Sequence, residues 1–216
     1  MIPLEAALTQ GGSIFVRQRK ELIELIGFET RNKYSIEFEN GQQFAFAAEQ
    51  QKGFLGIILR QFLGHWRTFE LHIFDETRAP VYIATHPFRF FFQRLELRDS
   101  SGTFFGVIQR RWGIFTKRFD IEDAHGQVIM KVASPFFRFW TFKFMSQGIQ
   151  VAQVQKKWTG FLKEAFTDAD NFEIQWNDHS LPAFQRALVL AASLYIDLLY
   201  FEKKGDGGGI SVLADS

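Results

Sequence analysis

Apolar and polar positions alternate in short runs along most of this 216-residue chain, and turn-forming clusters punctuate the runs. KYSIEF breaks at Glu39, Asn40 and Gly41 before QFAFAA; TFELHIF breaks at DETRAP before VYIAT; QRLELR breaks at DSSG before TFFGVIQ. KRFDIED and QVIMKV flank His125 and Gly126, and FWTFKF and IQVAQVQ flank Gln147 and Gly148. Period-two runs of aromatic and β-branched residues predict strands, and the Asn and Gly between them supply the positive φ of tight hairpins. NFEIQW at 171–176 is patterned as one more strand. The period then changes. Residues 183–201 are apolar nearly all round, interrupted by Arg186, Ser193 and Asp197, whose spacing sets them on one narrow helical stripe.

A helix apolar on every face has to be enclosed, by protein or by lipid. Its uninterrupted part, 187–201, is about fifteen residues long and contains Asp197, whereas a bilayer span needs roughly 20 predominantly apolar residues. Length therefore favours burial inside protein, with Leu190, Leu194 and Leu198 at the centre. Recurrent hairpins followed by one such helix predict a mainly β chain, a barrel wrapped round its C-terminal helix.

Composition fits one domain, because no Pro-, Ser- or Gly-rich linker divides the chain. The expected division is an N-terminal segment at 1–12, the domain at 13–204 and a flexible Gly-rich tail at 205–216. The net charge of +1 gives no global field to recruit nucleic acid. The absence of cysteine excludes disulfides, thiolate metal sites and cysteine lipidation, and fits a reducing compartment. MIPLEAALTQ has neither the basic leader nor the apolar core of a signal peptide, so the cytoplasm, or the cytoplasmic face of a membrane, is expected.

Phenylalanine is the anomaly, at 27 residues, and three segments combine it with arginine: 53–67, 86–94 and 134–144. Pro87 and Pro135 stand near the start of the last two, where consecutive aromatics defeat strict alternation. Such loops suit a lipid interface, rings at the acyl boundary and Arg60, Arg67, Arg89, Arg94 and Arg138 on phosphates. The competing expectation is that both ring faces pack within protein, and for 86–144 packing is slightly favoured. For 53–66 the glycines Gly53, Gly56 and Gly64 point to a loop or short amphipathic helix. There Phe54, Leu55, Ile58, Phe62 and Trp66, with Arg60 and Arg67, form the expected membrane patch.

No catalytic constellation emerges. The chain has no cysteine nucleophile, no GxSxG elbow, no GxxxxGK[ST] loop and no HExxH pair, and its five histidines are scattered. It does not read as an enzyme.

Trp158, Thr159 and Gly160, EAFTDADNF at 164–172, Ile174 and Gln175, then Ile196, Asp197, Phe201 and Glu202 resemble the signature blocks of the phospholipid scramblase family. The resemblance continues upstream through 21–38 and 46–50 and covers nearly all of the chain from about Ser13. It implies a tubby-like closed antiparallel β-barrel enclosing the hydrophobic C-terminal α-helix. It further implies a membrane-associated protein that moves phospholipids in both directions across a bilayer. Lipid scrambling makes and breaks no covalent bond, so it needs no active site. The Pro-rich extension and cysteine clusters of eukaryotic members are missing, which fits a minimal, bacterial version.

The expected partner is a phospholipid membrane surface, and a protein partner stays open. Two other readings remain: a peripheral phospholipid- or phosphoinositide-binding module, and a soluble scaffold or nucleic-acid-binding protein. The last is motivated by Lys156, Lys157 and Trp158, similar to a nuclear-import signal of a eukaryotic member.

The family's calcium segment corresponds to Asp168, Asp170 and Phe172 here, with Asp178 as a third carboxylate. An EF-hand loop needs glycine at its sixth position and a carboxylate at its twelfth, where this chain has Glu173 and His179. The alternative is a turn in which the aspartates accept backbone N–H bonds. Any calcium is expected to bind weakly, on the order of 10⁻⁴ to 10⁻³ M.

Overall fold

The eleven alternating runs form strands, IFVRQ at 14–18 adds a twelfth that the pattern does not single out, and the all-round apolar segment forms a helix. The computed structural model describes residues 3–19, 32–50, 68–89, 91–135, 137, 140–157 and 171–201. A short helix, α1 (Leu4–Thr9), precedes β1 (Ile14–Gln18), β2 (Lys33–Phe38), β3 (Gln43–Gln50) and β4 (Phe69–Asp75). Then follow β5 (Pro80–His86), β6 (Arg94–Asp99), β7 (Phe104–Arg111) and β8 (Arg118–Asp123). The barrel continues with β9 (Val128–Ala133), β10 (Thr141–Ser146), β11 (Ile149–Lys157) and β12 (Asn171–Trp176), after which α2 (Ala183–Tyr200) ends the described chain.

Each strand pairs antiparallel with its neighbours in sequence, and β1 closes the barrel on β12 with Ile14 opposite Ile174 and Val16 opposite Phe172. Closure leaves no sheet edge to pair with another chain.

Register is set at the turns. Asp75, Asp99 and Asp123 each use Oδ1 to accept the backbone N–H groups two and four residues on, at 2.8 to 3.0 Å. The residue three along from each donates its N–H to the aspartate carbonyl. Gly102 and Gly126 occupy that place at φ of 94° and 77°, but the β4–β5 turn has Arg78 there, at φ of 68°. A side chain in this left-handed region is strained where glycine is not.

The lumen is filled by α2, as its pattern predicts. Every residue from Arg186 to Leu198 is buried, with Leu190 and Leu194 fully so and Leu198 nearly so. Rings from the wall close on it: Phe69, His86 and Phe119 lie within 6.4 Å of the Tyr195 ring, centroid to centroid. Burying one leucine in this way contributes about 1.5–3 kcal/mol. α2 is long and apolar enough to cross a membrane by composition, yet it is mostly enclosed by its own barrel.

The helical part of residues 1–12 packs on the barrel's core. Leu4, Ala7 and Leu8 of α1 are buried in the same core cluster as α2. The tail at 205–216 lies outside the described residues.

Candidate functional site

Antiparallel order gives the barrel two unlike ends. The β2–β3, β4–β5, β6–β7, β8–β9 and β10–β11 turns share one end with α1 and with the start of α2. The longer connections, β1–β2, β3–β4, β5–β6, β7–β8, β9–β10 and β11–β12, all fall at the other end, where α2 finishes.

The short-turn end is locked. Arg186, fully buried, donates from Nη1 to the Leu8 carbonyl at 2.8 Å, from Nη2 to His179 O at 2.9 Å and from Nε to Leu181 O at 3.2 Å. Its guanidinium also lies 4.8 Å over the Trp176 ring. One buried cation thus fastens α1 to the barrel. Further along the same stripe, Ser193 donates its hydroxyl to Leu190 O at 2.7 Å, and Asp197 accepts the Tyr34 hydroxyl at 2.6 Å. These polar groups serve the fold and do not face solvent.

At the long-loop end, cations gather round the last turn of α2. Lys117 Nζ stands 4.0 Å over the Tyr200 ring and 5.2 Å from that of Phe201, and Lys156 Nζ lies 4.2 Å from Phe201 and 5.7 Å from Trp140. Arg110 lies 5.8 Å over Tyr200. Burial pushes the Tyr200 hydroxyl pKa up, against the pull of Arg110. Positive charge suits both the ring faces and the negative end of a helix.

The described loops of the same end also expose large apolar side chains. Of ten exposed large hydrophobic side chains among the described residues, seven lie on three neighbouring loops there. Phe88, Phe91 and Phe92 are on β5–β6, Trp112, Ile114 and Phe115 on β7–β8, and Phe137 on β9–β10. Phe91 is 81% exposed, Trp112 79% and Phe137 88%. Gln109 Nε2 donates to the Phe92 carbonyl at 2.9 Å, and Phe92 has φ of 50°, uncommon for an aromatic residue. The other three, Val128, Ile149 and Phe184, sit at the short-turn end.

The residues singled out from sequence divide accordingly. Phe54, Leu55, Ile58, Arg60, Phe62, Trp66, Arg67, Arg138, Asp168 and Asp170 lie outside the described residues. Arg89 is exposed beside Phe88 on the β5–β6 loop. Arg94 opens β6 half-buried, its charge taken by Glu96. The rings of 86–144 do not share one fate: Phe142 and Phe144 point into the core, while Phe88, Phe91, Phe92 and Phe137 stay out. Packing was the favoured expectation for this whole stretch, and it holds only where strand alternation aims the ring inward.

Asp178 does not extend the acidic segment before β12. It follows β12, whereas Asp168 and Asp170 precede it, and a strand of six residues spans about 20 Å. Its Oδ1 accepts the N–H and the hydroxyl of Ser180 at 2.8 and 2.6 Å, the interactions that chiefly lower its pKa. No group of three metal-ligating side chains occurs among the described residues. Lys156 and Lys157 are also committed, the first buried against Phe201 and the second in an ion pair with Glu173 at 2.6 Å.

RRWGIFTKR at 110–118 is the stretch that the hairpin pattern passes over. Its signal is legible in retrospect: an apolar tip held between two pairs of cations.

A closed antiparallel barrel threaded by an apolar C-terminal helix is the tubby-like architecture, and a solved protein from Arabidopsis thaliana shares the fold. The two superpose with a TM-score of 0.50 over 86% of this chain and 92% of that one, at 13% identity. The Scramblase family model matches residues 3–203, so the chain belongs to the scramblase family. It is 32% identical to phospholipid scramblase 1 of Rattus norvegicus over 92% of its own length and 62% of the relative's. It is also 30% identical to human phospholipid scramblase family member 5, over 90% of this chain and 76% of that protein. Its likeness to altered inheritance rate of mitochondria protein 25 of Saccharomyces cerevisiae is 23%, over 97% and 77%. The chain spans less than two thirds of the rat and mouse phospholipid scramblases 1 that it matches.

Proposed function

We propose that this protein is a membrane-associated, phospholipid scramblase-like protein that works from the cytoplasmic face of a bilayer and moves phospholipids between leaflets in both directions. The observation that carries the reading is the one-ended surface: exposed rings on three adjacent loops, with Arg89, Arg111 and Arg118 exposed beside them. Such a combination matches the headgroup boundary, where rings bury in the acyl region and cations meet phosphates. Because α2 is enclosed by strands, it offers lipid no polar track. The headgroup passes instead where the loop end disturbs the leaflet, and no bond is made or broken.

Reconstitution tests this directly. Liposomes carrying a fluorescent phospholipid are treated with an impermeant quencher with and without the full chain. Accelerated loss of the protected inner-leaflet signal is expected. Firm vesicle binding with no such acceleration would replace transport by the peripheral lipid-binding reading. Loss of the signal from an encapsulated soluble dye would instead show leakage.

A further inference from the structure

We infer that the β7–β8 loop, residues 112–117, is a membrane-inserting finger whose partner is an anionic phospholipid surface. The inference deepens the proposed function and rests on it.

The loop is built to hold apolar side chains outward. β7 and β8 stay paired up to Arg111 and Arg118, so the loop stands on a hydrogen-bonded stalk. The chain then doubles back so closely that a Cβ at Gly113 would meet the Thr116 carbonyl at 2.3 Å. The Ser134 N–H donates to the Lys117 carbonyl at 3.0 Å and braces the base against the next loop. Trp112, Ile114 and Phe115 are each more than 70% exposed on this frame. A soluble surface rarely keeps three such residues together at a tip without a partner.

Charge identifies that partner. Residues 110–118 contain Arg110, Arg111, Lys117 and Arg118 and no carboxylate. Arg110 and Lys117 turn inward over Tyr200. Arg111 and Arg118 face each other across the ladder, a like-charge placement that is unfavourable in isolation. Asp120 and Glu122 hold Arg111 at 2.7 and 2.8 Å, while Arg118 donates to the Thr116 hydroxyl at 3.0 Å. Arg111 and Arg118, both exposed just below the apolar tip, sit at phosphate depth when the tip enters the acyl boundary. A neutral apolar protein groove would satisfy the tip and leave this collar of charge desolvated.

The test uses the full chain and vesicles of phosphatidylcholine with and without phosphatidylserine. Wild type is expected to float with the anionic vesicles. The triple variant Trp112→Ser, Ile114→Ser, Phe115→Ser should partition on the order of 100-fold more weakly, with its thermal midpoint unchanged. Arg118→Glu should weaken binding to the anionic vesicles only. Phe184→Ser, at the opposite end, should bind as wild type. Independently of any loop variant's folding, wild-type tryptophan fluorescence should be quenched by shallowly brominated acyl chains, and Trp112→Phe should lose most of that quenching. Wild-type binding that survives the triple change overturns the finger and leaves the proposed function standing. Absence of wild-type binding to either vesicle overturns both. Self-association abolished by the triple change, without vesicle binding, assigns the tip to a second copy and overturns the lipid assignment.

Discussion

Tyr34 on β2 donates its hydroxyl to Asp197 Oδ2 at 2.6 Å, joining the barrel wall to the last turns of the helix that fills it. Both residues are fully buried, and 163 positions of sequence separate them. Tyr34→Phe removes a donor from a buried carboxylate and keeps the ring. A loss of about 1.5–3 kcal/mol is expected, the range for hydrogen bonds to charged groups. Urea unfolding of the variant measures it, and an unchanged midpoint would show that the bond contributes nothing net.

Leu194 lies at the centre of the lumen with no exposure. Leu194→Ala should cost about 2–5 kcal/mol through lost burial and a residual cavity. Leu194→Asp should abolish folding, since it buries a second carboxylate in the lumen that already holds Asp197. A soluble Leu194→Asp protein with cooperative melting would show that the helix leaves the barrel at little cost.

Arg78 adopts the left-handed conformation that Gly102 and Gly126 adopt in the sister turns. Arg78→Gly relieves the strain and gives back part of the gain as chain entropy. A net stabilisation of about 1 kcal/mol is expected, a rise of roughly 2–4 °C in Tm for a protein of this size. Calorimetry checks it, and a drop in Tm would mean that the arginine side chain makes a contact worth more than the strain.

Burial alone would raise the pKa of Glu37, but the Ser35 hydroxyl with Arg19 and Arg17 holds its carboxyl below the ordinary value of 4.5. The closest contacts are 2.6, 2.8 and 2.9 Å. A lowered folded-state pKa gives stability that is fully present above the unfolded value and is lost as pH falls through the folded one. Wild type should therefore lose stability steadily below about pH 4.5, and Glu37→Gln should show a shallower acid limb. Denaturation midpoints across that range decide it; parallel acid limbs would exclude Glu37.

Calcium, where it binds, should do so on the order of 10⁻⁴ to 10⁻³ M and without help from Asp178, which stands beyond the far end of β12. Titration calorimetry on wild type, on Asp178→Ala and on Asp168→Ala with Asp170→Ala separates the contributions. The Asp178 variant should match wild type. Micromolar binding abolished by the double change would restore a tight site at the acidic segment.

The hairpins were legible because alternation and turn glycines are local signals, and the central helix because an apolar surface on every side admits few surroundings. What Arg186 does was not legible: its bond to Leu8 spans 178 positions, and nothing local in either segment announces the other. α1 is six residues long, too short for a helical period to stand out. The exposed loop rings were not legible for a related reason. Period-two reasoning sends Phe142 and Phe144 inward correctly, but it has no purchase on Phe91 or Phe137, which belong to loops. Only closure of the barrel reveals that those loops share an end with Trp112.

The enclosed helix also sets the timing of assembly. Translation delivers α2 after all twelve strands, so a chain still being synthesised can form hairpins but has nothing to put inside them. Neighbouring strands can pair early, being close in sequence, while the interior waits for residues more than 160 positions from the first wall it touches. Until then the inward rings are exposed to water and to other nascent chains. Yield in a cell should depend on holding chaperones more than the stability of the finished barrel would indicate, and a chain interrupted between β12 and α2 should aggregate instead of forming a hollow shell.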